Sequence, residues 1–242
     1  MSGGGVRRGA FITIDGPDGG GKTTQAERLA ARLEELGTPV HVTREPGGTW
    51  LGERIRELLL DRTGSTAPTD PLADAMLFNA ARRQLVREVI APALAAGDTV
   101  VCARFADSTL AYQGYGAGLD VAMLRELNDR ATEGLRPDLT LLLDVPVEAG
   151  LARKAPGDVT RFEAEYDLDF HRRVRDGFLA IAAAERSASR SSMRRAASQK
   201  WAMRSPRWCT RAPPRVNRQP AACASRDERV VGPAPAPRGD RL

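Results

Sequence analysis

The stretch AFITIDGPDGGGKTT, residues 10–24, decides the fold. Its first part, Ala10 to Asp15, is a short apolar and β-branched run that ends at glycines, and this predicts a buried parallel strand. The pattern Gly-x-x-x-x-Gly-Lys-Thr follows, and a helical spacing of apolar residues begins at Lys22. A glycine-rich loop between a strand and a helix is the setting in which this motif binds phosphate. The residues predicted to bind ATP are Gly16, Pro17, Asp18, Gly19, Gly20, Gly21, Lys22, Thr23 and Thr24.

The chemistry of phosphate binding explains the residue types in this loop. Glycines accept positive φ angles and let backbone N–H groups close on phosphate oxygens, and the helix N-terminus behind them adds a partial positive charge. Lys22 is predicted to be catalytic because its ammonium can reach the β- and γ-phosphates, and the Thr23 hydroxyl is placed to bind Mg²⁺. The loop therefore predicts nucleotide binding with Mg²⁺, but kinases, GTPases and other ATPases share it.

The first 186 residues alternate strands and helices. Strands are predicted at 10–15, 40–43, 99–103 and 139–144, and helices at 22–36, 50–60, 74–94, 105–114, 119–131, from about 147, and at 163–185. Pro92 is expected to bend or end the helix that contains it. This alternation predicts an α/β fold, in which a parallel sheet has right-handed crossovers and carries helices on both faces.

Charge and composition divide the chain into two parts. Residues 1–186 hold 23 basic and 28 acidic residues, a net charge of −5, whereas residues 187–242 hold 13 and 3, a net charge of +10. The net charge of the main domain therefore does not support a basic surface for nucleic acid. No apolar run approaches the roughly 20 residues that span a bilayer, so no membrane partner is expected. Cys102, Cys209 and Cys223 lack metal-ligand spacing, which favours a reducing, cytoplasmic location.

The segment 187–242 is rich in Arg, Ser, Ala and Pro and holds seven of the chain's 16 prolines. It has no sustained helical or strand period, so we expect it to be disordered, as we expect of residues 1–9. Three interpretations of this tail stay open: a solvated appendage, a basic arm for nucleic acid or membrane, and out-of-frame translation. The last is favoured, because the tail begins where a fifth strand is due. An intact reading frame in the resequenced gene would exclude it.

Arginines narrow the class of nucleotide-binding protein. The chain has no Asn-Lys-x-Asp segment, with which GTPases recognise guanine, and it is short for a motor or transport ATPase. Several arginines fall in loops at the carboxyl ends of the predicted strands, where this architecture binds ligands. Such a group suits a reaction with phosphates on both substrates. A phosphate acceptor is already ionised and needs no general base, so alignment and charge neutralisation suffice for catalysis.

Further segments of the chain resemble bacterial thymidylate kinase over about residues 10–186. They are TREPGGT at 43–49, LFNAAR at 77–82, RF at 104–105, STLAYQG at 108–114, RPDLT at 136–140 and LDV at 143–145. TREPGGT and STLAYQG together are far more specific than the loop. The resemblance implies a P-loop nucleoside monophosphate kinase fold in residues 10–186, transfer of the γ-phosphoryl group of ATP to dTMP, Mg²⁺ as cofactor, and a homodimer.

The resemblance also implies roles at the dTMP site. Asp18 would contact the region of the sugar 3′-hydroxyl and help to organise Mg²⁺, while Arg56 and Arg104 would hold the dTMP phosphate. Phe78 would stack on the thymine ring, and Tyr112 would crowd the 2′ position. Arg82 would donate to a thymine carbonyl, beside Thr109 and Gln113. The implied substrate-binding residues are Asp18, Glu45, Arg56, Phe78, Arg82, Arg104, Thr109, Tyr112 and Gln113.

Each of these side chains has a structural alternative when it is taken without the resemblance. Phe78 and Tyr112 fit an ordinary core, and Arg56 and Arg82 fit solvated helix faces. The flat aromatic face and the forked guanidinium donors agree with recognition of a base, its carbonyl and a phosphate.

The predicted lid agrees with one subclass of the family, and the sequence departs from the family pattern at two places. Gly19 follows Asp18, so the loop lacks the arginine that one subclass carries there, whereas a lid at about residues 153–162 matches the subclass with lid arginines. Arg153 and Arg161 are accordingly predicted to be catalytic. Ala103 stands where the family has an acidic residue, and no fifth strand is recognisable. These departures leave two alternatives open: a catalytically impaired nucleotide-binding relative, and a protein that binds nucleic acid through its tail.

Overall fold

A computed structural model describes residues 8–61, 69–155, 159–191 and 199–203, and within them five strands form one sheet. The sheet has the order β2-β3-β1-β4-β5, and every neighbouring pair is parallel. The strands are β1 Phe11–Asp15, β2 Val40–Arg44, β3 Thr99–Ala103, β4 Leu139–Leu143 and β5 Gln199–Met203. The predicted parallel α/β fold is therefore confirmed.

Nine α-helices and two π-helical segments occur among the described residues. The helices are α1 Lys22–Glu35, α2 Trp50–Leu60, α3 Pro71–Leu85, α4 Ala91–Ala96, α5 Ala106–Thr109, α6 Val121–Thr132, α7 Val147–Leu151, α8 Arg161–Glu165 and α9 Leu168–Ser191. The π-helical segments are Val86–Ile90, between α3 and α4, and Leu110–Gly116, after α5. None of these helices combines the length and the apolar character that crossing a bilayer requires.

Local chemistry explains where the two helices beside the site begin. The hydroxyl of Thr49 accepts a hydrogen bond from Gly52 N at 3.0 Å and caps α2. A carboxylate oxygen of Asp70 accepts from Leu72 N and Ala73 N and caps α3, which begins at Pro71. Both caps satisfy backbone donors that have no partner inside the helix.

The core lies on both faces of the sheet because side chains alternate along each strand. On one face, Val100 and Cys102 pack with Phe11 against the α3–α4 region. On the other face, Val101 and Ala103 pack with residues of α1. A third apolar cluster joins the π-helical segment Leu110–Gly116 to α9. Helices thus cover the two faces as predicted, and the strand ends stay open for a site.

The predicted loss of the last strand is wrong. Gln199–Met203 lies beside β4 as the edge strand, with Leu139 opposite Gln199 and Leu143 opposite Met203. Strand pairing is made by backbone groups, and an open edge of β4 would leave those groups without partners. The segment QKWAM lacks the apolar β-branched run by which the other strands were found.

Two helix predictions also need correction. The helix predicted at 163–185 is divided into α8 and α9, and α9 continues past residue 185 to Ser191. The helix predicted at 74–94 is divided into α3, the π-helical turn Val86–Ile90 and α4, in which Pro92 is the second residue and which ends at Ala96. A π-helical turn can absorb a residue that lacks a backbone donor.

The chain divides into two compact units, 1–206 and 207–242, and every described residue belongs to the first. Within the predicted disordered N-terminus, residues 1–7 lie outside the described residues, whereas Gly9 N donates to Leu94 O at 2.8 Å. The predictions for residues 192–198 and 204–242 of the tail also lie outside the described residues.

Candidate active site

The phosphate-binding loop runs from the end of β1 to the start of α1, at the carboxyl edge of the sheet. Gly19 has a φ of +67°, and a Cβ built there would lie 1.8 Å from the backbone oxygen of Gly150. Gly21 has a φ of +79° and immediately precedes α1. Only glycine fits the first position, and the second is strained for other residues. The loop therefore has the backbone shape that phosphate binding needs.

Lys22 folds back across this loop. Its Nζ donates to Gly16 O at 3.0 Å and to Pro17 O at 2.6 Å, and the residue is only 8% exposed. Burial lowers the pKa of Lys22 to about 7, with a further lowering by the Arg104 charge, while Asp18 and Asp15 oppose the shift. The ammonium thus rests on neutral carbonyls, and a phosphate would be a stronger partner.

Asp18 joins the loop to the other half of the site. One of its carboxylate oxygens accepts from Arg104 Nη2 in a short ion pair, and the other accepts from the Tyr112 hydroxyl at 2.6 Å. Burial alone would raise the pKa of Asp18, but Arg104, Lys22 and the Tyr112 hydrogen bond outweigh it and lower the pKa to about 2. Asp18 is therefore an anion at any ordinary pH.

Arg104 occupies a left-handed backbone position, with a φ of 69°, directly after β3. Its guanidinium lies 5.0 Å from the centre of the Tyr112 ring and donates to the Tyr112 oxygen at 3.1 Å. A second nitrogen donates to the Ser108 hydroxyl at 3.2 Å, and that hydroxyl donates to Asp15 Oδ1 at 2.7 Å. Asp15 and Ser108, neither of which was predicted as a site residue, therefore orient Arg104.

The side chain of Ala103 is buried in the apolar cluster that includes Ile14, Ala26 and Val101. Arg104 has its carboxylate partner in Asp18 and a second, indirect one in Asp15 through Ser108. The orientation of Arg104 is thus secured without an acidic side chain at position 103.

Arg82 lies at the centre of a buried polar network. Its Nε donates to Glu45 Oε2 at 2.8 Å, and Nη1 donates to Asn79 and to Asn128 at 3.1 and 2.7 Å. Nη2 donates to Phe105 O and to Thr109 Oγ1 at 3.2 and 3.0 Å. All five N–H donors of a guanidinium are thus engaged. Since Arg82 is 1% exposed, the interpretation of a solvated helix-face charge is wrong.

Glu45, the acidic partner in this network, lines the cleft and has one carboxylate oxygen without a partner. Oε1 is buried and makes no hydrogen bond. Burial raises the pKa of Glu45 to about 7, although the Arg82 charge acts in the opposite direction. A buried acceptor without a donor is costly, so this oxygen is a candidate contact for a polar ligand.

Asn128 was not predicted as a site residue. It lies on the buried face of α6 with Leu124 and Ala131, and its Nδ2 donates to Ala106 O at 3.0 Å. The sequence signal that could have indicated it is a polar residue at the helical spacing of apolar ones.

Arg56 and Phe78 contribute from α2 and α3. Arg56 is half-buried and donates from Nη1 to Pro46 O at 2.9 Å, and burial lowers its pKa. The ring of Phe78 is partly buried, and its centre lies 6.0 Å from that of Phe162. Phe78 therefore both packs on the core and faces the cleft, so the two interpretations of this residue coexist.

One cleft of about 870 Å³ brings these groups together. From the loop it is lined by Asp18, Gly19, Gly21, Lys22, Thr23 and Thr24. The predicted acceptor residues that line it are Glu45, Arg56, Phe78, Arg82, Arg104, Thr109, Tyr112 and Gln113. Gly16, Pro17 and Gly20 are not among the lining residues, and the first two provide the carbonyls that accept hydrogen bonds from Lys22.

The predicted lid residues separate into two groups. Arg153 and Lys154 line the cleft, and Lys154 forms a short ion pair with Glu163. Arg161 does not line it, because its guanidinium is buried against Asp74, 2.8 Å from Oδ1. The expectation that Arg161 faces the phosphates is thus not met in this structure. A buried guanidinium needs a charged partner, and Asp74, which does not line the cleft either, provides it.

The donor groups in the cleft fit Mg²⁺ bound jointly with phosphate. Thr23 offers a hydroxyl oxygen at the start of α1, and Mg²⁺ commonly takes few protein ligands together with substrate phosphates and water. The Asp18 oxygens are already engaged by Arg104 and Tyr112. Among the described residues, no group of three acidic, His or Cys side chains forms an all-protein metal site. Thr23 is therefore the better candidate ligand.

Comparison with known proteins agrees with the geometry. A family model described as "Thymidylate kinase" matches residues 14–193. The thymidylate kinase of Deinococcus radiodurans is 54% identical over 181 residues, which cover 74% of this chain and 86% of that protein. That of Thermomicrobium roseum is 56% identical over 174 residues, covering 71% and 80%. The crystal structure of thymidylate kinase from Ehrlichia chaffeensis matches with a TM-score of 0.63 at 35% identity, covering 81% of this chain and 93% of that one. This chain therefore belongs to the thymidylate kinase family.

Proposed function

We propose that the chain transfers the γ-phosphoryl group of ATP to dTMP, giving ADP and dTDP. The observation that carries this proposal is the link between the two halves of the cleft. Asp18 of the phosphate-binding loop is held by Arg104 and Tyr112, which belong to the acceptor half. A phosphoryl group bound at the loop would therefore lie beside the cations that receive the acceptor phosphate. Family membership supports the same reaction.

In this proposal the protein aligns two phosphates and neutralises their charge. The acceptor oxygen of dTMP is already ionised, so no base has to remove a proton. Lys22 exchanges the carbonyls of Gly16 and Pro17 for the β- and γ-phosphate oxygens of ATP. Mg²⁺, held by Thr23 and the phosphates, would neutralise charge that develops on the transferred group. Arg153 and Lys154 add positive charge from the lid segment that lines the cleft, which supports placing the chain in the subclass with lid arginines.

The acceptor half suits a thymine nucleotide. Arg56 and Arg104 bind the dTMP phosphate, and Phe78 offers a flat ring on which the base stacks. Glu45 Oε1 is the available acceptor for a base N–H donor. Every N–H donor of Arg82 already has a partner, so Arg82 can contact a thymine carbonyl only if one N–H group is shared between that carbonyl and its protein partner. Its other role is to orient Glu45 and Thr109.

Exposed apolar side chains on α2 and α3 support a homodimer. Trp50, Leu58 and Met76 are large apolar side chains that are each more than half exposed. A second copy of the chain would cover them, and sedimentation of the wild-type chain against Met76→Glu tests this. A cytoplasmic location is part of the same proposal, since ATP and dTMP are its substrates.

The direct test is coupled ATP-to-ADP turnover with Mg²⁺, with dTMP, dUMP, dCMP and dGMP as separate acceptors. We expect turnover that depends on dTMP and is lost in Lys22→Met. The matched control is Arg32→Met, which removes an exposed cation on the outer part of α1 and should leave turnover unchanged. A folded wild-type chain without turnover on any acceptor would refute the proposal and favour a catalytically impaired relative.

A further inference from the structure

Arg161 joins three elements at the edge of the cleft. It is the first residue of α8, and its Nη2 lies 2.8 Å from Asp74 Oδ1, on the first turn of α3. Its Nε donates to Leu59 O at 3.1 Å, at the end of α2. Nη1 lies 3.6 Å from Glu165 Oε2 within α8 itself. The guanidinium therefore binds α8 to the ends of both helices that carry acceptor residues.

The ion pair between Arg161 and Asp74 is buried, and this makes it important for the position of α8. Arg161 is 5% exposed and Asp74 is 1% exposed. A buried charge without its partner is strongly unfavourable, so either residue keeps the other in place. Helix α8 has only five residues and would not be stable by itself. Its place beside α3 is therefore set by its contacts, among which the Arg161–Asp74 pair is the ionic one with α3.

A second ion pair joins α8 to Lys154, a cation that lines the cleft. Glu163 of α8 accepts from Thr160 N and Thr160 Oγ1 through one carboxylate oxygen, at 2.7 and 2.6 Å. Its second oxygen forms the short ion pair with Lys154. Lys154 lines the same cleft as Asp18 and Lys22 of the phosphate-binding loop. Two ion pairs thus meet on α8: Arg161 joins it to Asp74 of α3, and Glu163 joins it to Lys154, which lines the cleft with the phosphate-binding loop.

The same helix touches the acceptor-base residues. Phe162 follows Arg161, lies 5.0 Å beneath its guanidinium and packs 6.0 Å from the rings of Phe78 and Tyr112. Asp74 and Phe78 are four residues apart on α3 and so lie on one face of that helix. Helix α8 therefore packs on the aromatic side chains beside the cleft as well as on the ends of α2 and α3.

We propose that Arg161 and Asp74 are positioning residues, whose ion pair holds α8 so that Glu163 places Lys154 over the phosphate-binding loop. This inference rests on the proposed function, since Lys154 acts on the transferred phosphoryl group. Arg161 itself does not touch the phosphates. It sets the alignment of a residue that does.

The test uses the full chain with Arg161→Met and Asp74→Leu, singly and together, because the double variant removes both charges and avoids an unpaired buried ion. Unfolding temperatures first show that the variants are folded. We expect each to lower kcat roughly 10- to 100-fold, with the dTMP dissociation constant changed less than about threefold. The matched control is Glu165→Gln, which removes the other carboxylate near Arg161 within α8 and should keep wild-type kcat.

Two further comparisons separate positioning from direct contact. Lys154→Met should lower kcat by a similar factor, and adding it to the double variant should cause no further loss, because both changes act through one cation. A multiplicative loss would overturn the proposal. So would normal kcat in a folded Asp74→Leu variant when Arg161→Met is impaired, since Arg161 would then act directly.

A readout that does not need turnover tests the placement of α8 alone. Trypsin cleavage after Arg153 and Lys154, without nucleotide, should be about tenfold faster in the double variant than in the wild type or Glu165→Gln. Equal cleavage rates in folded proteins would overturn the placement. If trypsin cleaves the double variant faster than the wild type as predicted, but the wild-type chain phosphorylates no acceptor, the proposed function fails while the structural part of the inference stands.

Discussion

The charge on Lys22 makes a quantitative prediction about ATP binding. Burial lowers the pKa of this ammonium to about 7 in the chain without nucleotide, and bound phosphates would raise it again. Binding therefore takes up a proton wherever the pH exceeds about 7. If the charged form alone binds phosphate, the charged fraction falls from about nine in ten near pH 6 to about one in eleven near pH 8. ATP affinity should then fall about tenfold, or about 1.4 kcal/mol, over this interval.

Titration calorimetry with Mg²⁺ and a β,γ-imido analogue of ATP measures this effect without turnover. dTMP is omitted, so that its phosphate does not titrate in the same range. Repeating the titration in two buffers of different ionisation enthalpy gives the number of protons taken up, which should approach one near pH 8. Lys22→Arg is the matched control, because a guanidinium stays charged throughout. A wild-type affinity that does not change with pH, or an equal slope in Lys22→Arg, would refute the reasoning.

Three further predictions concern the acceptor half and Asp18, which joins it to the phosphate-binding loop. Phe78→Ala removes the stacking face, so KM for dTMP should rise about 10- to 100-fold while KM for ATP stays within about twofold in steady-state kinetics. The pKa of Asp18 is lowered to about 2 in the folded chain, against 3.8 for the ordinary group. The ionised carboxylate therefore stabilises the fold above about pH 4, and this stabilisation is lost as the pH falls toward 2. Urea unfolding of Asp18→Asn should accordingly show a deficit of about 2 kcal/mol near pH 7 that shrinks on acidification, and a constant deficit would contradict the sign. Ser108→Ala breaks the bridge between Asp15 and Arg104, so calorimetric dTMP affinity should fall about 3- to 30-fold, whereas unchanged affinity would show that Asp18 alone orients Arg104.

The sequence by itself determined the elements around the site and the class of chemistry. The bounds of α2 and β3 agree with their predictions, and those of β1, β2 and β4 agree within a residue. These features depend on local properties: periodic burial, helix caps and the steric freedom of glycine. The arrangement of arginines was predictable for a related reason, because loops that follow parallel strands meet at one edge of the sheet.

Only the tertiary structure decided which charges face the cleft. Lys154 and Arg161 both belong to the predicted lid, yet Lys154 lines the cleft and Arg161 is buried on Asp74. Arg82 donates hydrogen bonds to Glu45 and to Asn128, two residues that are far apart in the sequence. The strand Gln199–Met203 likewise became evident only from its backbone pairing with β4. Burial and pairing of charges depend on residues brought together by the fold, so no local pattern of sequence could specify them.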